Sequence, residues 1–222
     1  MITVHHLENS RSQRVLWLLE ELGLPYEVKR YERDAQTNLA PPELKAVHPL
    51  GKSPVITDDG EVVAETGAIV EYLVECYGNG RLVPPAGSPE RRRYTYWMHM
   101  AEGSAMPFVV MTLILNRIET AAPWLIRPIA KAIAGQVRAG YVGPGLKGCL
   151  DYMESELGRR AWFAGDELTA ADVMMSFPVE AAAARGSLAS DYPRLAAFLE
   201  RVHARSAYQR ALERGGPYAL LT

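Results

Sequence analysis

The sequence predicts a small α/β unit followed by an all-helical one, and three observations carry that expectation. The first eighty residues alternate strand and helix signals. A glycine- and proline-rich break follows, with Gly78-Asn79-Gly80 and then Pro84-Pro85-Ala86-Gly87. Beyond it no strand pattern recurs, only Ala, Leu, Met, Arg and Glu at helical spacing. Domains over residues 1–79 and 88–222 are the expected organisation.

In order, Ile2-Thr3-Val4 starts a β-rich run that stops at the polar loop Glu8 to Ser12. Val15, Leu18, Leu19 and Leu22 then recur on one helical face, and Gly23 and Pro25 supply the stop. A second strand is expected over Tyr26 to Tyr31. The order strand, helix, strand implies a right-handed parallel crossover. After an irregular stretch with at most a short helix around Glu43 to Val47, Pro54 to Thr57 and Glu61 to Ala64 flank Asp58-Asp59-Gly60, a hairpin signal. From Thr66, the residues Ile69, Tyr72, Leu73 and Cys76 mark an apolar helix face ended by Gly78. The first unit thus reads β-α-β, then β-β-α.

Ser88-Pro89 has the form of an N-cap with proline at the first helical position. Pro107, inside the apolar stretch Met106 to Ile118, is expected to kink its helix near the middle. A helix boundary or distortion is expected in the glycine-rich segment Gly140 to Gly148. Thr169 and Asp172 form a capping-box pattern, with Leu168 and Val173 as a hydrophobic staple, opening a buried helix from Ala170 to about Arg185.

Composition narrows the function classes. With 222 residues, 48% hydrophobic and 23% charged, the chain has enough apolar content for a packed core, which excludes disorder and fibre. Its formal charge of -2 offers no footprint for nucleic acid or an anionic membrane, and the Arg91-Arg92-Arg93 run reads as a solvated helix face. The longest apolar run, Pro107 to Leu115, is too short to span a bilayer, and the N-terminus has no basic-then-apolar leader pattern. Cys76 and Cys149 form no C-x-x-C pair, which suits a reducing compartment, and both are expected to pack in helices. Neither nucleic acid nor membrane is an expected partner, and the expected location is cytoplasmic.

Three spots carry chemistry. The loop Asn9 to Ser12 lies where a strand's carboxyl end meets a helix N-terminus, a place that favours anions, and Ser10 is the hydroxyl best placed to point there. In Lys52-Ser53-Pro54-Val55 a proline starts a strand. A cis bond at Pro54 would turn the Ser53 main chain outward to pair with an extended peptide-like ligand, whereas a trans bond leaves an ordinary turn. Glu65-Thr66 at the next helix start is complementary to an α-amino acid head, ammonium to Glu65 and carboxylate to Thr66, or else is a plain helix cap. His5 and His6 point to opposite faces of a strand and find no partner at metal-ligand spacing, so no metal is expected.

Four blocks in order make the chain resemble a cytosolic glutathione transferase over its whole length: Asn-Ser-Arg-Ser-Gln-Arg-Val at 9 to 15, Gly-Lys-Ser-Pro-Val-Ile at 51 to 56, Ala-Glu-Thr-Gly-Ala-Ile at 64 to 69, and Phe-Ala-Gly-Asp-Glu-Leu-Thr-Ala-Ala-Asp at 163 to 172. The resemblance implies a thioredoxin-like N-terminal domain, an all-helical C-terminal domain, a homodimer, glutathione as co-substrate with no other cofactor, and an apolar electrophile in the cleft between domains. It carries the catalytic hydroxyl to Ser10, with Asn9 as an alternative contact to the sulfur. Lys52 goes to the glycine end of glutathione, the Ser53 main chain to its cysteinyl part, and Glu65 and Thr66 to its γ-glutamyl end. On the helices that would line the cleft, Met106 and Phe108, beside Pro107, are candidates for contact with the electrophile.

A serine suffices for such chemistry. A free thiol of pKa about 8.5 is only about 3% ionised at pH 7, and the thiolate is the nucleophile. Lowering that pKa by about 2 units takes about 2.7 kcal/mol of preferential anion stabilisation. One hydrogen bond to a charged acceptor supplies about 1.5 to 3 kcal/mol, and a helix N-terminus about 0.3 to 1. Thiol-disulfide exchange is disfavoured because no Cys stands in the Asn9 to Ser12 loop. The resemblance implies conjugation of glutathione to small hydrophobic electrophiles, with reduction of organic hydroperoxides as a second activity. The alternative is a non-catalytic module that keeps the architecture for ligand or protein binding.

Overall fold

The computed structural model describes residues 1–184 and 188–221. Its sheet has four strands in the order β2-β1-β3-β4, with β1 at Ile2–Leu7, β2 at Tyr26–Tyr31, β3 at Val55–Asp58 and β4 at Glu61–Ala64. Between β1 and β2 runs α1 (Ser12–Leu22), and the two strands are parallel, with Ile2 opposite Tyr26 and Leu7 opposite Tyr31. Gly23 ends α1 in the left-handed region at φ 67°, the conformation a glycine C-cap takes without steric cost. A short α2 (Leu44–Val47) precedes β3. The β3–β4 hairpin turns on Asp59 (φ 46°) and Gly60 (φ 97°), two successive positive φ values that match the twist of the strands. Then α3 (Thr66–Tyr77) closes the βαβ-ββα unit. This is the expected thioredoxin-like arrangement.

The helical part begins with α4 (Pro89–Met100), whose Ser88 cap accepts the Arg91 N–H at 3.0 Å. It continues through a π-helical turn at Ala101–Ala105 into α5 (Met106–Ala121). The distortion expected near the middle of the apolar stretch therefore lies before Pro107. Proline offers no N–H and its ring crowds the carbonyl four residues back, so the turn that precedes it widens. A hairpin leads to α6 (Arg127–Val137), a second π-turn at Arg138–Val142 stands in the glycine-rich segment, and α7 (Gly143–Leu157) follows.

Next come α8 (Ala170–Ala183), α9 (Leu188–Asp191), α10 (Pro193–His203) and α11 (Ser206–Gly215). The expected end of the buried helix at Arg185 lies outside the described residues.

One core joins the two parts. Val4, Leu16, Trp17 and Leu73 belong to the same apolar cluster as Trp97, Phe163, Met174 and Phe198. The indole of Trp17, fully buried, meets the Tyr208 ring edge-on at 5.5 Å, which ties α1 to α11.

Arg14 adds a polar bolt. It is 1% exposed, and its guanidinium donates to the Met174 carbonyl at 2.7 Å and to Thr66 Oγ1 at 3.4 Å, and pairs with Glu102 of the first π-turn. Burial lowers its affinity for the proton, and Glu102 works the other way.

Asp172 is fully buried at the N-terminus of α8. Its Oδ2 accepts the Thr169 N–H (2.8 Å) and hydroxyl (2.9 Å), and its Oδ1 accepts the Phe163 N–H (2.8 Å). The capping box is present. Burial pushes the carboxyl up to about 6 although all three bonds favour its ionised form. Asp172→Ala is expected to lower unfolding free energy in urea by about 2 kcal/mol, because the lost cap and orphaned N–H groups outweigh the relief of a buried charge.

Cys76 departs from expectation: it is exposed, where the apolar face of α3 was expected to bury it. The buried stripe runs through Thr66, Ile69, Val70, Leu73 and Val74. At 3.6 residues per turn, position 76 sits about a quarter turn off its centre. Cys149 packs at the edge of the main core as expected, and burial raises its thiol pKa.

Candidate functional site

The site is built from three chain segments that meet at one end of the sheet. At the first, the Ser53–Pro54 peptide bond is cis. Ser53 Oγ donates to the His5 carbonyl (2.9 Å) and accepts the Leu7 N–H (3.2 Å), which holds residues 52–54 against β1. At the second, Glu65 stands just before α3 with φ 71° and ψ 127°, a conformation that costs a non-glycine residue roughly 1–3 kcal/mol and that is typical of functional sites. Glu65 is exposed while Thr66 is 4% exposed, so the carboxylate faces outward and the threonine hydroxyl inward, toward Arg14. The third is the N-terminal end of α1.

Between these segments lies a groove of about 90 Å³ lined by Lys52, Ser53, Pro54, Glu65 and Thr66 together with Arg11, His48 and Glu102. Four of the five glutathione contacts read from the sequence thus share one concavity with the cis proline. The groove carries charge of both signs: Lys52 and Arg11 against Glu65 and Glu102, with Arg11 paired to Glu102 at 3.3 Å. Arg11, His48 and Glu102 escaped the sequence reading. Arg11 is next to Ser10 in a loop already singled out, so its neighbourhood was the available signal. Glu102 reaches the groove from a distant helical turn and had none.

Ser10 and Asn9 do not line this groove. Ser10 is 6% exposed, its Oγ accepts the Ser12 N–H (3.3 Å), and it lies 2.7 Å from Ser12 Oγ. Ser12 Oγ is in turn 2.8 Å from His6 Nδ1. Burial lowers the His6 pKa to about 4, so the ring is neutral at pH 7, and it donates to the Gly215 backbone. With its proton used there, Nδ1 accepts from Ser12, and Ser12 accepts from Ser10. The chain Ser10–Ser12–His6 is a serine relay resting on a neutral imidazole. The loop residue Asn9 (φ 49°) uses its side-chain oxygen to accept the Ala219 N–H at 2.7 Å, which pins the C-terminal tail over the loop.

Met106 and Phe108 also lie outside the groove. Met106 is 3% exposed in a cluster with Phe177 and Tyr218. The half-buried Phe108 ring lies 5.7 Å from the Tyr141 ring and packs on Gly145, where a Cβ would stand 2.3 Å from the ring.

Residues 1–75 match the family model "Glutathione S-transferase, N-terminal domain" and residues 134–201 match "Glutathione S-transferase, C-terminal domain". Glutathione S-transferase 3 of Schizosaccharomyces pombe is 40% identical over 182 residues, 82% of this chain and 74% of that protein. The chain belongs to the glutathione S-transferase family. Glutathione S-transferase 1 of Saccharomyces cerevisiae is 31% identical over 96% of this chain and 95% of that protein. The crystal structure of a glutathione S-transferase from Actinobacillus pleuropneumoniae superposes with a TM-score of 0.81 at 32% identity, covering 99% of this chain and 94% of that one. A transferase homologue from Sulfitobacter, solved with bound glutathione, shares the fold at 20% identity with a TM-score of 0.75, covering 97% of this chain and 98% of that one.

Within this transferase, glutathione and the groove are chemically matched. The tripeptide has an ammonium and a carboxylate at one end, a second carboxylate at the other and a backbone between, and the groove offers Glu65, the α3 N-terminus, two cations and the Ser53 main chain in one concavity.

Proposed function

We propose that the protein conjugates glutathione to small hydrophobic electrophiles. The observation that carries this reading is the single groove that unites Lys52, Ser53, cis-Pro54, Glu65 and Thr66. Glutathione lies along it with its γ-glutamyl head at Glu65 and Thr66, its cysteinyl amide on the Ser53 main chain and its glycine carboxylate toward Lys52. Its sulfur then points to the N-terminus of α1. The Ser10 hydroxyl turns from Ser12 to donate to the sulfur, and the thiol proton leaves to solvent. The thiolate attacks the electrophilic carbon, a C–S bond forms, and the leaving group departs with its electron pair. Holding both reactants together supplies the rest of the rate gain. With an organic hydroperoxide the same thiolate attacks oxygen, and a second glutathione completes reduction to the alcohol, water and the disulfide. The setting we propose is the cytosol, with the protein a homodimer.

Titration calorimetry with glutathione and turnover of chlorodinitrobenzene test the proposal together. Glutathione binding displaced by S-hexylglutathione, with measurable conjugation, is the expected result. A second reading, a binding module without turnover, draws on the engagement of Ser10 with Ser12. Absence of conjugation with any of several electrophiles, with or without glutathione binding, would select it.

A further inference from the structure

Between Met106 and Val142 the chain carries four basic residues, Arg117, Arg127, Lys131 and Arg138, against one acidic residue, Glu119, although its overall charge is -2. This segment forms the α5–α6 hairpin, whose connection holds Pro123, Trp124 and Leu125. Along α6 and its start, Ile126, Ile129, Ile133 and Val137 recur on one stripe and Arg127 and Lys131 on another, an amphipathic pattern, while Arg138 just beyond the helix pairs with Glu119 at 2.8 Å. In a helix of a packed core the first stripe is buried. Here it faces outward: Trp124 is 81% exposed, Leu125 72%, Ile129 62% and Ile133 60%, and Leu113 and Ile118 extend the face onto α5. A cleft of about 270 Å³ between the two helices is lined by aliphatic side chains alone.

An apolar patch of this kind marks an interaction surface, and its charge says which. A twofold contact with a second copy sets the same patch against itself. The exposed Arg117, Arg127 and Lys131 of each copy would then crowd their counterparts. Anionic lipid headgroups instead neutralise them, while Trp124 at the tip has the amphipathic ring that settles at headgroup level. We propose that the α5–α6 hairpin docks this protein on anionic bilayer surfaces, with Trp124 and Leu125 inserted at the headgroup–acyl boundary and the basic stripe on the lipid phosphates. The helical rod Pro89–Ala121 is long and apolar enough by composition to cross a membrane, but its first half holds the core residues Tyr94, Trp97 and Met98, so the hairpin lies on the bilayer. The expectation of no membrane contact rested on run length and net charge, whereas surface docking depends on amphipathicity and local charge.

The test is flotation of the full chain with vesicles of phosphatidylcholine alone or enriched in phosphatidylserine. Flotation is expected with the anionic vesicles and is expected to fall roughly tenfold or more on neutral ones. About 1 M salt, where the Debye length is about 3 Å, should have the same effect. Trp124→Ser with Leu125→Ser, and separately Arg127→Gln with Lys131→Gln, should each reduce flotation at least about tenfold while glutathione binding in solution stays unchanged. Equal flotation on both vesicle types, or wild-type flotation by both double variants, overturns the proposal. So does sedimentation showing a wild-type dimer that the Trp124 and Leu125 changes convert to monomer without any vesicle binding, which would assign the face to a second copy. Because binding is read without turnover, these outcomes are independent of the glutathione assignment.

Discussion

Ser10→Ala is expected to lower kcat/KM for glutathione conjugation by about 10- to 100-fold, the loss that follows from removing one hydrogen bond of about 1.5 to 3 kcal/mol to a charged sulfur. The pH profile should move with it. Wild-type conjugation is expected to reach its plateau below the ordinary thiol range, and in the variant the apparent pKa of the bound thiol should return toward about 8.5, so that activity survives mainly at alkaline pH. A purely structural role would lower activity without moving that pKa. The relay behind Ser10 sharpens the experiment. Ser12 Oγ, 2.7 Å from Ser10 and 2.8 Å from His6, engages the Ser10 hydroxyl only until the sulfur is bound. Ser12→Ala should therefore give a smaller loss with the pKa largely retained. Unchanged turnover and unchanged thiol pKa in Ser10→Ala would transfer the thiolate contact to another group, and Arg11, the neighbour that lines the groove, is the first to test.

Arg14→Met carries the largest expected cost in stability, about 3 kcal/mol in chemical denaturation, because it removes a buried guanidinium, leaves the Met174 carbonyl without that donor and leaves Glu102 with Arg11 alone. The guanidinium spans three elements at once: Thr66 opening α3, Glu102 in the π-turn before α5, and the Met174 carbonyl within α8. Methionine fills the volume but donates nothing to the Met174 carbonyl. Arg14→Lys retains the charge but cannot fork to three acceptors, so its loss should be intermediate. Pairing Arg14→Met with Glu102→Gln should cost less than the sum of the two single changes, since both remove the same ion pair. Additive losses in the double variant would show that the pair is not coupled. The same substitution also bears on function, because Thr66 and Glu102 both line the groove and Arg14 sets their positions.

Much of this architecture was legible from local chemistry. The Asp59-Gly60 turn, the Gly23 stop, the Ser88-Pro89 start and the Thr169–Asp172 box each depend on residues within one turn of one another, so their signals lie side by side in the chain. The Lys52 to Pro54 and Glu65-Thr66 segments were legible for the same reason, each being a strand or helix start. Arg14 was visible only as a motif member, and its three partners come from positions 66, 102 and 174. Cys76 was misjudged because the periodicity that suggested its burial does not say on which residue the buried stripe is centred.

Spacing and turn residues alone determined the order of strands and helices, because backbone preferences act over a few residues, while the four motif blocks carried the resemblance to the family. Only the packed structure decided that Lys52, Glu65, Arg11 and Glu102 share a groove, that the Ser10 hydroxyl rests on Ser12, and that the apolar stripe of α6 stays uncovered. Each of these depends on which distant surfaces exclude water from one another, a property of the assembled chain that no short window of residues contains.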